Sequence, residues 1–169
     1  MADEEGANPN QRLLFAARTD NLEMLQEVLA LPAGAFDVNF ADGLGNTALH
    51  YAAASASTSV LPALLEEEVD VDLQNKLEGN TPLHEALRIE DEDERAWIVD
   101  QLLEAGADPR IPNKEGDKPA DCVSAATPAG QKLRDTLRHA EATAGIDISD
   151  VAQDDDDDEA DDGPPSDDD

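Results

Sequence analysis

The chain has 169 residues, of which 40% are hydrophobic but only 3% aromatic, and its formal net charge is −30. Because this charge repels polyanions and anionic lipids, we predict neither a nucleic-acid nor a membrane partner. The length suits one domain with appendages, and its core must be built from leucine, alanine and valine.

The N-terminal residues 1–10 carry three acids and lack the positive start and apolar stretch of a secretory signal, so we expect a flexible terminus. Cys122 is the sole cysteine, which excludes an internal disulfide and fits a reducing compartment. We therefore expect a cytoplasmic and nuclear protein.

A turn-and-helix signal occurs twice, as GNTALH at 45–50 and as GNTPLH at 79–84, 34 residues later. A fixed period of this size is typical of a repeat solenoid. Glycine supplies the turn backbone, Thr47 and Thr81 can cap a helix, and Pro82 suits the first helical position. Each signal therefore predicts a helix entry.

In chain order, the period predicts four helix-turn-helix units with β-hairpin-like turns, at about 11–41, 42–74, 75–112 and 113–140. The fourth unit has Ala120 and Asp121 where the others have leucine and histidine, and its polar ending predicts a cap. The third unit is four residues longer, and Ile89–Arg95 is predicted to form an acidic flap.

Residues 141–169 are predicted to be a linker and a disordered acidic tail. Eleven acids and no base lie between 154 and 169, and such a run cannot bury enough apolar surface to offset the entropy lost on ordering. Ser166 precedes three aspartates, which is the environment that an acidophilic kinase selects, so its phosphorylation is a hypothesis beside that of an unmodified terminus.

The segments TALHYAA at 47–53, TPLHEA at 81–86 and LLEAGAD at 102–108 resemble the signature of the ankyrin-repeat family. The chain is also similar to small fungal members of that family with an acidic C-terminal tail. This resemblance implies an all-α solenoid and a protein-binding role.

Catalytic and metal chemistry is disfavoured. His50 and His84 occupy equivalent repeat positions, but no cysteine or carboxylate repeats beside them to complete a metal shell. Since no nucleophile, phosphate-binding or metalloprotease motif occurs, we predict a non-enzymatic protein without a cofactor.

A binding surface is predicted where the repeat leaves positions variable, on the concave side of the stack. By alignment these positions are Phe15, Tyr51, Glu85 and Cys122. Trp97 is instead favoured as a packing residue of the second helix. Apolar turn tips and an acidic rim complete the surface, so the predicted contact residues are Phe15, Phe40, Leu44, Tyr51, Leu77, Glu78, Glu85, Glu90, Glu92 and Glu94, together with the tail residues Asp154, Asp155, Asp156, Asp157 and Asp158.

Three functional hypotheses remain open at this point. The first is an escort or assembly chaperone, monomeric when free, that shields a basic protein such as a ribosomal protein or a histone. The second is an adaptor or regulator of a non-basic partner, such as a small GTPase or a proteasomal or signalling component, whose tail serves solubility. The third is salt adaptation, which the local concentration of charge in the tail disfavours.

Overall fold

The structure, a computed structural model, describes residues 7–146; the predictions for residues 1–6 and for the acidic tail lie outside this range. The described part contains no strand. Its helices are α1 (Pro9–Thr19), α2 (Leu22–Leu29), α3 (Ala48–Ala54), α4 (Val60–Leu65), α5 (Pro82–Ala86), α6 (Glu92–Glu104), a 3₁₀ turn η1 (Pro119–Cys122) and α7 (Pro128–Ala144).

The helices form two layers. In the first, α1 packs on α3, α3 packs on α5, and α5 contacts η1. Behind this layer α2, α4 and α6 each pack on the helix that precedes them, and α7 packs on η1 and α6. Four helix pairs are therefore stacked along one axis, which confirms the predicted all-α repeat solenoid.

The core consists almost entirely of aliphatic side chains. Small residues such as Ala16, Ala52 and Ala86 are fully buried in the first layer, where they let neighbouring helices approach closely. The largest buried aliphatic side chains are Leu13, Leu25, Leu49, Leu61, Leu64, Leu83, Ile98, Leu102 and Leu137.

Threonine caps the N-termini of α3 and α5, the two central helices of the first layer, as the sequence predicts. The hydroxyl oxygens of Thr47 and Thr81 accept the backbone N–H of His50 and His84, and each histidine ring accepts the backbone N–H of its threonine. The reciprocal pair satisfies two donors that a helix N-terminus otherwise leaves unbonded.

The turns are closed by backbone hydrogen bonds and joined to one another. The turns are numbered by the unit that each of them opens. Within the third turn, the Asn75 N–H donates to the Asn80 carbonyl at 2.9 Å. Between turns, the Lys76 N–H donates to the Leu44 carbonyl and the Lys114 N–H to the Glu78 carbonyl, both at 2.9 Å. The turns thus form a continuous ribbon beside the inner helices.

The insertion in the third unit lengthens a helix and does not form a flap. Asp91 caps α6 by accepting two backbone N–H groups, so the helix begins at Glu92, inside the predicted insertion. Carboxylates in a first turn interact favourably with the helix dipole. The flap prediction is therefore wrong for Glu92 and Glu94, and only the connection up to Asp91 is a loop.

The fourth unit caps the stack. Its first helix is reduced to η1, and α7 continues to Ala144, beyond the predicted domain end at 140. An ion pair between Lys118 and Glu141 fixes the last turns of α7 against the start of η1. The solvent-facing side of the cap is accordingly polar.

Candidate protein-binding surface

The turns and the first-layer helices line a common surface, here called the inner face. A groove of about 500 Å³ runs between the third turn, α5 and the cap. Leu77 and Glu78 of the turn, Arg88 after α5, and Lys114 and Cys122 of the cap contribute to its walls. Of the predicted positions, Leu77, Glu78 and Cys122 therefore line one groove, whereas Phe15, Leu44 and Tyr51 do not line it.

Two aromatic rings flank one arginine at the first-repeat end of the inner face. Phe15 on α1 is 45% exposed, and Tyr51 on α3 is half-buried. The guanidinium carbon of Arg18 lies 5.9 Å from the Phe15 ring centroid and 5.5 Å from that of Tyr51. At these distances cation–π attraction holds the three side chains as one cluster.

Tyr51 is also tied to the second turn. Its hydroxyl donates to the Asp42 carboxylate, which additionally accepts the backbone N–H groups of Leu44 and Asn46. Burial and the bond to Asp42 raise the pKa of Tyr51, whereas for Asp42 the hydrogen bonds outweigh burial and lower its pKa. The ring is thereby pre-organised for contact.

The turn tips carry the most exposed leucines. Leu44 is 52% exposed and Leu77 is 69% exposed, at corresponding places in successive turns. Neither contributes much to the core, so both remain predicted contact residues. Phe40 is half-buried against the core, which leaves only part of its ring for a partner.

Glu85 is not an exposed rim residue, and this part of the prediction is wrong. It is 6% exposed and accepts hydrogen bonds from the side-chain amides of Asn80 at 3.0 Å and Asn75 at 3.3 Å. Its remaining oxygen lies 3.4 Å from the guanidinium of Arg88. The carboxylate therefore fastens the third turn to α5.

Arg88 offsets part of the acidic charge at the centre of the inner face. Its guanidinium binds both carboxylate oxygens of Glu78, at 2.7 and 2.9 Å, and this interaction raises the pKa of Arg88. Sequence reasoning missed both Arg18 and Arg88. Helical spacing could have found them, because each lies three residues after a predicted contact residue, Phe15 and Glu85.

Replacing Glu85 by alanine is expected to lower the free energy of unfolding by about 1–2 kcal/mol, because buried amide donors lose their acceptor. The loss is limited since Asn80 and Asn75 also donate to Glu78 and Asn46. Urea unfolding measures the change. The control is the isosteric Glu85→Gln variant, which keeps an acceptor oxygen. Equal stability of the alanine variant and the wild type would contradict the role of Glu85 in fastening the third turn to α5.

The two signature histidines connect neighbouring units. The Nε2 of His50 lies 2.9 Å from the Asn80 carbonyl and that of His84 lies 2.9 Å from the Asp117 carbonyl. Each Nδ1 accepts a threonine N–H, so each neutral ring carries its proton on Nε2. Within residues 7–146 no group of three or more potential metal ligands is present.

Cys122, the variable residue of the fourth unit, presents an exposed thiol to the groove. Partial burial, together with the charges of Asp117 and Asp121, raises the pKa of this thiol. The protonated form therefore dominates at neutral pH, which disfavours a nucleophilic role.

The remaining acidic residues lie at the edge. Glu90 and Glu94 are exposed beside an open cleft that separates them from residues 54–56 at the end of α3. Asp154–Asp158 lie outside the described residues. Trp97, favoured from sequence as a packing residue, is 38% exposed, so part of its ring is buried and part faces solvent. In the described range, no helix combines the length and hydrophobicity needed to span a bilayer.

In this structure the helix pairs are stacked, and their turns and first-layer helices share one face. Such an arrangement defines a protein-binding domain built from repeats. The chain belongs to the ankyrin-repeat family, whose model of three repeat copies matches residues 13–113. No catalytic family is indicated by this match.

Relatives share the repeats to different extents. The ankyrin repeat-containing protein YGL242C of Saccharomyces cerevisiae is 37% identical over 129 residues, which is 70% of this chain and 71% of the yeast protein. BCL-6 corepressor-like protein 1 of Homo sapiens is 33% identical over 113 residues, 65% of this chain but 6% of the relative. NF-kappa-B inhibitor delta of Homo sapiens is 29% identical over 130 residues, 75% of this chain and 41% of the relative. The chain thus spans most of the yeast relative and less than half of the human ones.

Proposed function

We propose that this protein is a non-enzymatic escort or assembly chaperone that binds and shields a basic protein, of the ribosomal-protein or histone type. The observation that carries the proposal is the combination of exposed apolar groups with a large negative charge. Phe15, Leu44 and Leu77 are exposed on the inner face, while residues 7–112 contain twenty acids and only six bases.

Such a surface would work in two stages. The net negative charge attracts a basic partner over a distance and disfavours encounters with nucleic acid. The aromatic cluster and the turn-tip leucines then supply apolar contact, which short-range binding energy requires. Asp154–Asp158 would cover further basic groups of the partner. The free protein would be a monomer, and its place would be the cytoplasm and nucleus.

The second candidate function is an adaptor for a non-basic partner. It is favoured by Arg88, which pairs with Glu78 and Glu85 and so offsets part of the acidic charge at the centre of the inner face. The names of two relatives, an NF-kappa-B inhibitor and a corepressor-like protein, are compatible with such a regulatory role. Under this alternative the acidic tail would serve solubility alone.

Affinity purification of the full-length chain, followed by binding measurements on the recovered partner, separates the two candidates. For an escort we expect a stoichiometric basic protein, whose affinity falls steeply with salt and weakens when Asp154–Asp158 are changed to asparagine. A neutral partner that is indifferent to both changes would favour the adaptor.

Tyr51→Ala is expected to weaken binding of that partner about tenfold or more, because a pre-organised aromatic ring on a contact surface is typical of a hot spot. Tyr51→Phe keeps the ring and loses only the hydrogen bond to Asp42, so it should retain most of the affinity. Calorimetric titration provides both constants. An unchanged affinity for the alanine variant would mean that the partner uses another surface.

A further inference from the structure

Trp97 is the only tryptophan of the chain, and α6 leaves it 38% exposed. The fully buried side of α6 is formed by Ile98, Val99 and Leu102, and Trp97 keeps part of its ring in solvent. That exposed part forgoes the free energy of burial. Tryptophan is enriched among the residues that dominate binding at contact surfaces.

Most helical neighbours of Trp97 are carboxylates, the exception being Gln101, which lies four residues later. Residues three, four and seven positions apart lie on one side of a helix, and here they form a set that we name the α6 outer face. Its members are all exposed to solvent: Asp93, Glu94, Trp97, Asp100 and Glu104. Among residues 7–146, no lysine or arginine forms an ion pair with any of these four carboxylates.

Helix stability does not account for the acidic residues at the far end of this face. Glu104 is the last residue of α6, whose last turn contains no basic residue. A carboxylate at that position faces the negative end of the helix dipole and is disfavoured. Two cations lie nearby: Arg95 of α6 and Lys132 of α7 line a cavity of about 220 Å³ with Asp93 and Asp100, and neither forms an ion pair with these two carboxylates.

We propose that the α6 outer face is a second docking surface, separate from the inner face, for an arginine-rich segment of a protein. An arginine guanidinium can stack on the indole of Trp97 while the carboxylates on either side accept its N–H groups. The ammonium of lysine is more strongly hydrated and cannot stack in this planar way, so arginine is preferred.

The proposal is independent of what the inner face binds. An adaptor with a neutral partner on its inner face would still present Trp97 and its carboxylates on the outer layer. Conversely, a basic partner confined to the inner face would leave the fluorescence of Trp97 unchanged.

The test uses Trp97 as its own reporter, since no other tryptophan contributes to the signal. The full-length protein is titrated at low salt with a peptide of about ten residues in which arginine and glycine alternate. We expect a saturable change in Trp97 emission, and about threefold weaker binding of the matching lysine peptide.

Two double variants with equal charge provide the matched comparison. Glu94→Gln with Glu104→Gln should weaken arginine-peptide binding about fivefold, whereas Glu66→Gln with Glu68→Gln, at exposed positions after α4, should change it less than about twofold. Equal weakening in both pairs would show general charge attraction and overturn the proposal. Peptide binding seen by calorimetry without any change in Trp97 emission would overturn it as well.

Trp97→Leu gives a second readout that a purely electrostatic site would not produce. In this variant, calorimetry should show that the preference for arginine over lysine has been lost. A retained preference would contradict stacking on the indole. Circular dichroism checks that the helices are intact, and the glutamine variants keep the test decisive if the leucine variant does not fold.

Discussion

Gly45→Ala is expected to lower the free energy of unfolding by about 2–5 kcal/mol, one of the largest effects in this protein. Gly45 adopts φ +82°, where a side chain costs about 1–2 kcal/mol. A Cβ at this position would lie 2.6 Å from the backbone nitrogen of Lys76. That nitrogen donates to the Leu44 carbonyl, so relief of the clash would separate two neighbouring turns, at a further cost of about 1–3 kcal/mol.

Gly116→Ala is the matched control. Gly116 occupies the corresponding place in the last turn and has φ +91°, but nothing lies within 4 Å of an added Cβ. Its substitution should therefore cost only the conformational part, about 1–2 kcal/mol. Urea unfolding of both variants measures how much stability is lost through the clash between neighbouring turns. Equal losses of stability in Gly45→Ala and Gly116→Ala would contradict this clash.

The second large effect is a loss of stability in mild acid that arises from His50 and His84. Burial lowers the pKa of both rings, although the Asn80 and Asp117 carbonyls and the charge of Glu85 oppose the shift. The folded protein therefore binds fewer protons than the unfolded chain, whose histidines titrate near about 6.5. Stability is fully present above that pH and falls as the pH drops toward the folded-state pKa values.

The expected slope is at most about 1.4 kcal/mol per pH unit for each histidine. Protonation of Nδ1 would also end its acceptance of the Thr47 or Thr81 N–H, which explains why the neutral ring is required. Urea unfolding between about pH 7 and 5.5 measures the slope. The single variants His50→Gln and His84→Gln should each reduce it, and the double variant should remove most of it; an unchanged slope in the double variant would refute this origin.

The sequence was sufficient to predict the parts of the structure that the repeat dictates. Thr47, Thr81 and their histidines fall where the period places them, because capping depends on residues only three positions apart. Glu85 could not be placed from sequence, since its burial depends on amides that another turn brings to it. The partial exposure of Trp97 could not be predicted from sequence, because the helical spacing with Ile98 and Leu102 places it only at the edge of the buried face of α6.

The acidic insertion illustrates the same limit. Its composition suggested a solvated loop, but a single capping residue, Asp91, was enough to convert most of it into helix.

The roles of Phe15, Leu44 and Leu77 in binding stay predictions. Their exposure is compatible with contact, and only a partner can test it.

The cap described above makes the described part of the chain, residues 7–146, electrically asymmetric along its axis. Residues 113–146 contain five acids and five bases, whereas residues 7–112 contain twenty acids and six bases. The described part of the stack therefore has an electric dipole moment whose negative pole lies in the first three units. By itself, this part of the chain would orient a positively charged protein toward its first three units, an effect that fades beyond the screening length of about 8 Å at physiological salt.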